Sequence, residues 1–126
     1  MINMKGNKYY LAIDLGASSG RHIIGWKENG EIKTKEIYRF ENHMDSENGH
    51  LVWDTERLFR EIKSGIKAAF SQYKYIESLA IDTWGVDYVL IKDGKGVSPC
   101  YAYRDSRTAN AIQEINSIIP FETLYK

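Results

Sequence analysis

Tyr9-Tyr10-Leu11-Ala12-Ile13 is a short, nearly continuous apolar run that ends on Asp14, the pattern of a central strand covered on both faces. A turn of small residues, Gly16-Ala17-Ser18-Ser19-Gly20, separates it from Arg21-His22-Ile23-Ile24-Gly25-Trp26, which predicts a second strand. Asn29-Gly30 is a strong hairpin signal. Residues 31–40 then alternate polar and apolar, as an antiparallel strand with one wet face does. A three-stranded meander is the expectation for this opening segment.

Residues 41–49 are polar, carry two Asn and one Gly, and show no apolar period, so they predict a loop. Asp54 is an N-cap for a helix with acid in its first turn. Leu58, Phe59, Ile62, Ile66, Ala69 and Phe70 recur at helical spacing up to about Tyr73. Residues 76–81 predict a fourth strand leading into Asp82-Thr83-Trp84-Gly85, and residues 86–91 a fifth, closed by Asp93-Gly94-Lys95-Gly96. Residues 97–106, with Pro99, predict an extended connection. A helix over 108–118 would carry Ala111, Ile112, Ile115 and Ile119 on one face.

Composition narrows the class. With 126 residues there is room for one domain with a modest core. Hydrophobic residues at 43% and charged residues at 27% mark a globular chain rather than a disordered one. Seventeen basic residues offset seventeen acidic ones, so no global field draws in nucleic acid or an anionic membrane. Cys100 is the single cysteine, which excludes an intrachain disulfide and a CxxC metal site. The polar start lacks the apolar region of a signal peptide, and no apolar run approaches the roughly 20 residues of a membrane span. A cytoplasmic chain is the expectation. The abrupt end at Lys126, without a cap or a polar tail, suggests a larger protein cut short.

The strongest chemical signal is the turn between the first two strands. Gly16 and Gly20 would permit positive φ and close approach of a bulky ligand. Small residues between them leave successive N–H groups free to form an anion-binding concavity, and the Ser18 and Ser19 hydroxyls add donors. Asp14, at the carboxyl end of its strand, could hold a metal-bound water, because Mg²⁺ commonly takes one carboxylate plus phosphate oxygens and waters. The turn is neither GxxxxGK[ST] nor GxGxxG before a helix. A plain hairpin turn uses the same small residues, and only the charge at the strand end argues for a ligand.

Asp82, Trp84 and Asp87 cluster on a second turn. Carboxylates accept hydrogen bonds from hydroxyls, while an aromatic ring packs on the C–H face of a polyol. Gly85 would let the backbone touch the ligand directly. A capped turn with a buried Trp84 explains the same residues. Tyr103-Arg104-Asp105-Ser106-Arg107-Thr108 is a third polar cluster. There Arg104 and Asp105 could read hydroxyls, or Asp105 or Ser106 could simply cap a helix and pair with Arg107. His22, His43 and His50 lack metal-ligand spacing and fit surface or structural roles.

Together, Asp14-Leu15-Gly16-Ala17-Ser18-Ser19-Gly20-Arg21, Trp53-Asp54, Ile81-Asp82-Thr83-Trp84-Gly85-Val86-Asp87 and Tyr103-Arg104-Asp105-Ser106-Arg107-Thr108 resemble the carbohydrate kinase family of glycerol kinase and xylulokinase (the FGGY family), and within it the rhamnulokinase subfamily. The likeness runs from about Tyr9 to the end of the chain, and the element order is similar to the start of an actin-like, ribonuclease-H-like domain. The resemblance implies an α/β fold with a mixed five-stranded sheet opening on an antiparallel meander, helices packed on it, and ATP and sugar in a cleft between two domains. Residues 1–126 would be the N-terminal part of the first domain. It further implies Mg²⁺-dependent transfer of the ATP γ-phosphoryl to the 1-hydroxyl of L-rhamnulose, with small molecules as the partners.

On the matching positions, Ala17, Ser18, Ser19, Gly20 and Arg21 would lie at the ATP phosphates and Gly85 at the sugar, with Trp84, Asp87, Arg104 and Asp105 as further sugar contacts. The family's catalytic Asp would lie beyond Lys126, so the fragment alone is expected to be inactive. Fuculokinase, another ketose or polyol kinase, and a non-catalytic actin-like protein are the competing readings.

Overall fold

The computed structural model describes residues 6–126. Its first strands are β1 (Tyr9–Leu15), β2 (Ser19–Glu28), β3 (Glu31–Glu41), β4 (Asp45–Glu47) and β5 (His50–Trp53), followed by helix α1 (Thr55–Gln72). After it come β6 (Ser78–Thr83), β7 (Ile91–Lys92), β8 (Lys95–Gly96), β9 (Cys100–Tyr101), a 3₁₀ turn (Ser106–Thr108), α2 (Ala111–Ile118) and the single turn α3 (Phe121–Leu124). These elements fall into two compact units, one made of the chain up to His43 with Asp54–Val86, the other of Met44–Trp53 with Asp87–Lys126.

The first unit is a mixed sheet in the order β3-β2-β1-β6, with α1 packed on it. The meander is present: β1 pairs with β2 and β2 with β3, all antiparallel, while β1 and β6 run parallel. Asn29 and Gly30 both take positive φ, which suits a two-residue hairpin turn. A register shift between His22 and Ile23 interrupts the β2–β3 ladder.

Helix α1 begins where Asp54 accepts the Arg57 N–H at 2.8 Å, satisfying one orphan donor of the first turn. Leu58, Ile62, Ile66, Ala69 and Tyr73 then form the stripe that meets Tyr9, Leu11, Ile13, Leu15, Ile24 and Phe40 of the sheet. Phe59 and Phe70, expected on that stripe, sit at its margin and are about half exposed. The Lys63 ammonium lies 4.5 Å from the centre of the Phe59 ring.

Two expectations for the sheet are corrected. Strand β1 is covered on one face only: Leu11, Ile13 and Leu15 are buried, whereas Tyr10 on the opposite face is 47% exposed. The sheet has four strands among the described residues, because residues 86–90 form no strand. Val86 enters the left-handed region at φ 70, which an extended ladder cannot accommodate.

The second unit holds a three-stranded sheet, β4-β5-β9, and a small β7–β8 hairpin turning at Asp93 and Gly94. Residues 41–49, expected to be a loop, contain β4 and the Asn48-Gly49 turn into β5, with positive φ at both turn residues. Val52, Trp53 and Ala102 are buried here. The apolar face of α2 stays exposed, with Ile112 and Ile118 more than 70% accessible. Among the described residues, no helix is long and apolar enough to cross a membrane.

Candidate functional site

The phosphate-type turn lies in the first unit, at the carboxyl end of β1. It is closed by the Gly16 N–H, which donates to the Ser19 carbonyl at 2.9 Å. Gly16 and Gly20 are not among the residues with positive φ, so left-handed backbone is not why they are glycine. A β-carbon at Gly16 would stand 2.8 Å from the Ser19 carbonyl oxygen, and one at Gly20 would stand 2.2 Å from the Phe40 ring. Close approach, not conformational freedom, selects glycine at both places.

Two further hydrogen bonds hold this turn, and both come from Asn42. Its backbone N–H donates to Ser18 O and its side-chain Nδ2–H to Gly16 O, each at 2.9 Å. Asn42 is only 6% exposed, and its Oδ1 accepts from Arg57. The sequence reading missed both residues: one Asn in a polar stretch carries no signal of burial, and Arg57 looks like an ordinary first-turn side chain.

Register places a row of charges across the sheet on the face away from α1. Arg39 lies opposite Arg21, Arg21 opposite Asp14, and Asp14 beside Asp82 on parallel β6; cross-strand partners share a face. Arg21 donates from its terminal guanidinium nitrogen to Asp14 Oδ2 at 2.5 Å, with both side chains about 40% exposed. Arg39 is held by a two-point bond to Glu36, and its guanidinium pulls the Glu36 carboxyl below its ordinary range.

Behind the row, His22 is fully buried between the sheet and α1. Its Nε2–H donates to the Ile62 carbonyl at 3.1 Å, while Nδ1 has no hydrogen-bond partner among the described residues. Burial pushes its pKa down, only partly opposed by that hydrogen bond and by Glu61. It is a neutral, structural histidine.

Of the second-turn residues, Trp84 is half-buried and packs against the core of the first unit. Gly85 is exposed, and a β-carbon there would meet nothing within 4 Å. The open space fits a backbone surface that a ligand can approach.

In the second unit, Asp87 Oδ2 accepts from Nε1–H of buried Trp53 at 2.7 Å. Arg104 is exposed, with its guanidinium carbon 5.5 Å from the centre of the Tyr103 ring. Asp105 has a different environment: it is buried, capping the 3₁₀ turn through the Arg107 N–H at 3.0 Å and taking the Leu51 N–H at 2.7 Å and His50 Nδ1 at 3.2 Å. Burial opposes its ionisation, but the Leu51 and Arg107 amides and the His50 ring prevail and hold the carboxyl at about 2. That is the capping geometry its sequence context also allowed. Cys100 is half-buried, and burial first, then Asp87, raise its thiol pKa.

Among the described residues, no three His, Cys, Asp or Glu side chains assemble into a group that could hold a metal alone. A lone carboxylate such as Asp14 still fits a Mg²⁺ that takes the rest of its shell from phosphate oxygens and water.

Residues 9–126 match the N-terminal domain of the FGGY family of carbohydrate kinases. Curated relatives include the rhamnulokinase of Ligilactobacillus salivarius, 45% identical over 94% of this chain, and that of Bacteroides thetaiotaomicron, 43% identical over 97%. The chain spans about a quarter of the length of each, 25% in both cases. Among solved structures, gluconate kinase from Lactobacillus acidophilus covers 90% of the chain at TM-score 0.68 and 14% identity, over 23% of its own length. Xylulose kinase from the same organism covers 88% at TM-score 0.67 and 14% identity, again over 23% of its own length. The shared fold is the actin-like one suggested by the meander, here a mixed sheet with α1 packed on it. By the extent of the family match, this chain belongs to the FGGY family of carbohydrate kinases.

Proposed function

We propose that the chain is the N-terminal part of the first domain of a longer cytoplasmic kinase, and that this kinase transfers the ATP γ-phosphoryl to the 1-hydroxyl of L-rhamnulose. The observation that carries the reading is the 41–45% identity to several curated rhamnulokinases over more than nine-tenths of the chain. The pinned turn at 16–20 supports it from the physical side.

In this reading the peptide N–H groups and hydroxyls of residues 17–20 hold phosphate oxygens, the anion-nest chemistry of successive amides. Arg21, on the same sheet face, meets phosphate charge with a forked donor. Asp14 is the residue that would hold Mg²⁺ through a water, and the ion would neutralise charge on the phosphates. The sugar lies against the open backbone of Gly85, with Trp84 beside it. Asp87 and Arg104 are suited by chemistry to read hydroxyls, and Asp105 contributes by ordering the segment that follows Arg104. The proton on the sugar hydroxyl goes to a base beyond Lys126, so the 126-residue chain alone does not turn over.

The test is a coupled ADP-release assay on the intact protein with L-rhamnulose, L-fuculose, xylulose and glycerol. We expect L-rhamnulose to give the highest kcat/KM. A clear preference for another of the four overturns the substrate assignment, and ATP- and rhamnulose-dependent ADP release by the isolated 126-residue chain overturns the missing base.

A further inference from the structure

Asn42 stands one residue past β3, yet both its backbone N–H and its side-chain amide donate to the turn. Its N–H meets Ser18 O and its Nδ2–H meets Gly16 O, both at 2.9 Å. Its Oδ1 accepts from the His43 N–H at 3.1 Å and from Arg57 at 3.3 Å. The guanidinium of Arg57 is itself fixed by the carbonyls of His43 at 2.8 Å and Glu41 at 3.3 Å. One buried residue thus grips the two carbonyls that flank Ala17, Ser18 O by its backbone N–H and Gly16 O by its side-chain amide, and an arginine of α1 grips that side chain.

The consequence follows from peptide geometry. No peptide bond in the described chain is cis, and in a trans peptide the N–H points opposite to the C=O of the same unit. Turning the Gly16 carbonyl toward Asn42 therefore turns the Ala17 N–H away from it. Turning the Ser18 carbonyl toward Asn42 does the same to the Ser19 N–H. Without the grip, either peptide could rotate and present a carbonyl oxygen, which repels an anion, where the amide now stands.

We infer that Asn42 is a positioning residue for phosphate binding, held in place by Arg57. It touches no ligand; its side chain fixes the direction of the Ala17 N–H, and its backbone N–H that of the Ser19 N–H. This rests on the reading of residues 17–21 as the phosphate site.

The experiment is steady-state kinetics on the intact kinase, varying ATP and sugar separately, with the thermal midpoint recorded for each variant. Asn42→Ala removes the side-chain bond to Gly16 O and keeps the backbone N–H to Ser18 O. It raises KM for ATP about tenfold, the effect of losing that one hydrogen bond at the upper end of its range, and leaves KM for sugar within about twofold. Asn42→Asp, which keeps the acceptor for Arg57 but loses the donor to Gly16, behaves like Asn42→Ala. Arg57→Ala raises KM for ATP about threefold, and Arg57→Lys, still able to donate to the His43 carbonyl, restores most of it.

Arg21→Ala is the control for the underlying reading. If Arg21→Ala raises KM for ATP while Asn42→Ala, Asn42→Asp and Arg57→Ala do not, the positioning role is overturned and the phosphate site stands. If none of them moves KM for ATP, the phosphate site itself is overturned. If the Asn42 and Arg57 variants shift both KM values alike, their role is general folding and the inference falls. Should Asn42→Ala not fold, the Arg57→Ala and Arg57→Lys pair decides by the same criterion.

Discussion

The His22 ring lies against Gly65 so closely that a β-carbon on Gly65 would stand 2.3 Å from three of its atoms. Helix propensity alone favours Ala over Gly in a helix interior by about 1 kcal/mol. The collision opposes this with a ring that is buried and bonded to Ile62, and overpacking a filled core costs about 1–3 kcal/mol. Gly65→Ala therefore costs about 0–2 kcal/mol net. Denaturant titration checks it, together with the double variant His22→Ala/Gly65→Ala, in which the added methyl is no longer harmful. A Gly65→Ala protein more stable than the parent contradicts the packing.

His22 also predicts a pH dependence. Its folded pKa lies below the ordinary imidazole value of 6.5 because burial disfavours the cation, with Glu61 the charged neighbour that opposes the shift and Tyr38 packed edge-on at 5.5 Å. A group depressed in the folded state binds fewer protons there than when unfolded. Stability is thus highest above about pH 6.5 and falls as pH drops below it. Urea midpoints between pH 8 and pH 5 test this, with His22→Gln expected to flatten the dependence; an equal slope in both proteins assigns it elsewhere.

The hairpin at Asn29-Gly30 and that at Asn48-Gly49 show where sequence reading works and where it stops. Both turns use positive φ at both residues. The first is flanked by apolar alternation, while β4 is Asp45-Ser46-Glu47 and offers none, so the same turn chemistry reads as a loop. Residues 86–91 fail in the opposite way. Their β-branched and aromatic content favours a strand, but Val86 turns left-handed and Asp87 is bonded to Trp53.

At the site, the turn from Asp14 to Arg21 is legible because its residue types report their own chemistry. The reason for its glycines is not, since Phe40 approaches Gly20 only once β2 and β3 have paired. Asn42 is illegible for the same cause: its partners, Gly16 and Ser18, are more than twenty positions away.

Asp105 gives a second, lower acid transition. Burial raises its pKa, but the amides of Leu51 and Arg107 and the His50 ring lower it further, from 3.8 to about 2. With the folded value below the unfolded one, its contribution is complete well above pH 3.8 and is lost as pH falls through about 2. Amide exchange at Leu51 and Arg107, whose N–H groups the carboxylate accepts, should accelerate relative to intrinsic rates across this window. In Asp105→Asn one of the two amides faces an NH2 group in place of a carboxylate oxygen and is weakly protected at every pH. Full protection of both in that variant sinks the assignment.

The pair of Asp14 and Arg21 separates activity from stability. Both side chains are about 40% exposed, and ion pairs in water-accessible positions contribute about 0–1 kcal/mol. Their loss therefore barely moves the unfolding midpoint. If Asp14 holds the metal-bound water and Arg21 the phosphate, catalysis responds far more, because donors aimed at charge in transfer are worth about 10²–10³ in rate. Asp14→Asn in the intact kinase should lower kcat about 100-fold and shift half-saturation to higher Mg²⁺, with ATP binding retained. Arg21→Ala should raise KM for ATP instead. The two variants thus divide along different kinetic axes although they break the same ion pair. If the pair were only a cross-strand staple, both would lose the same small amount of stability and neither kinetic parameter would change.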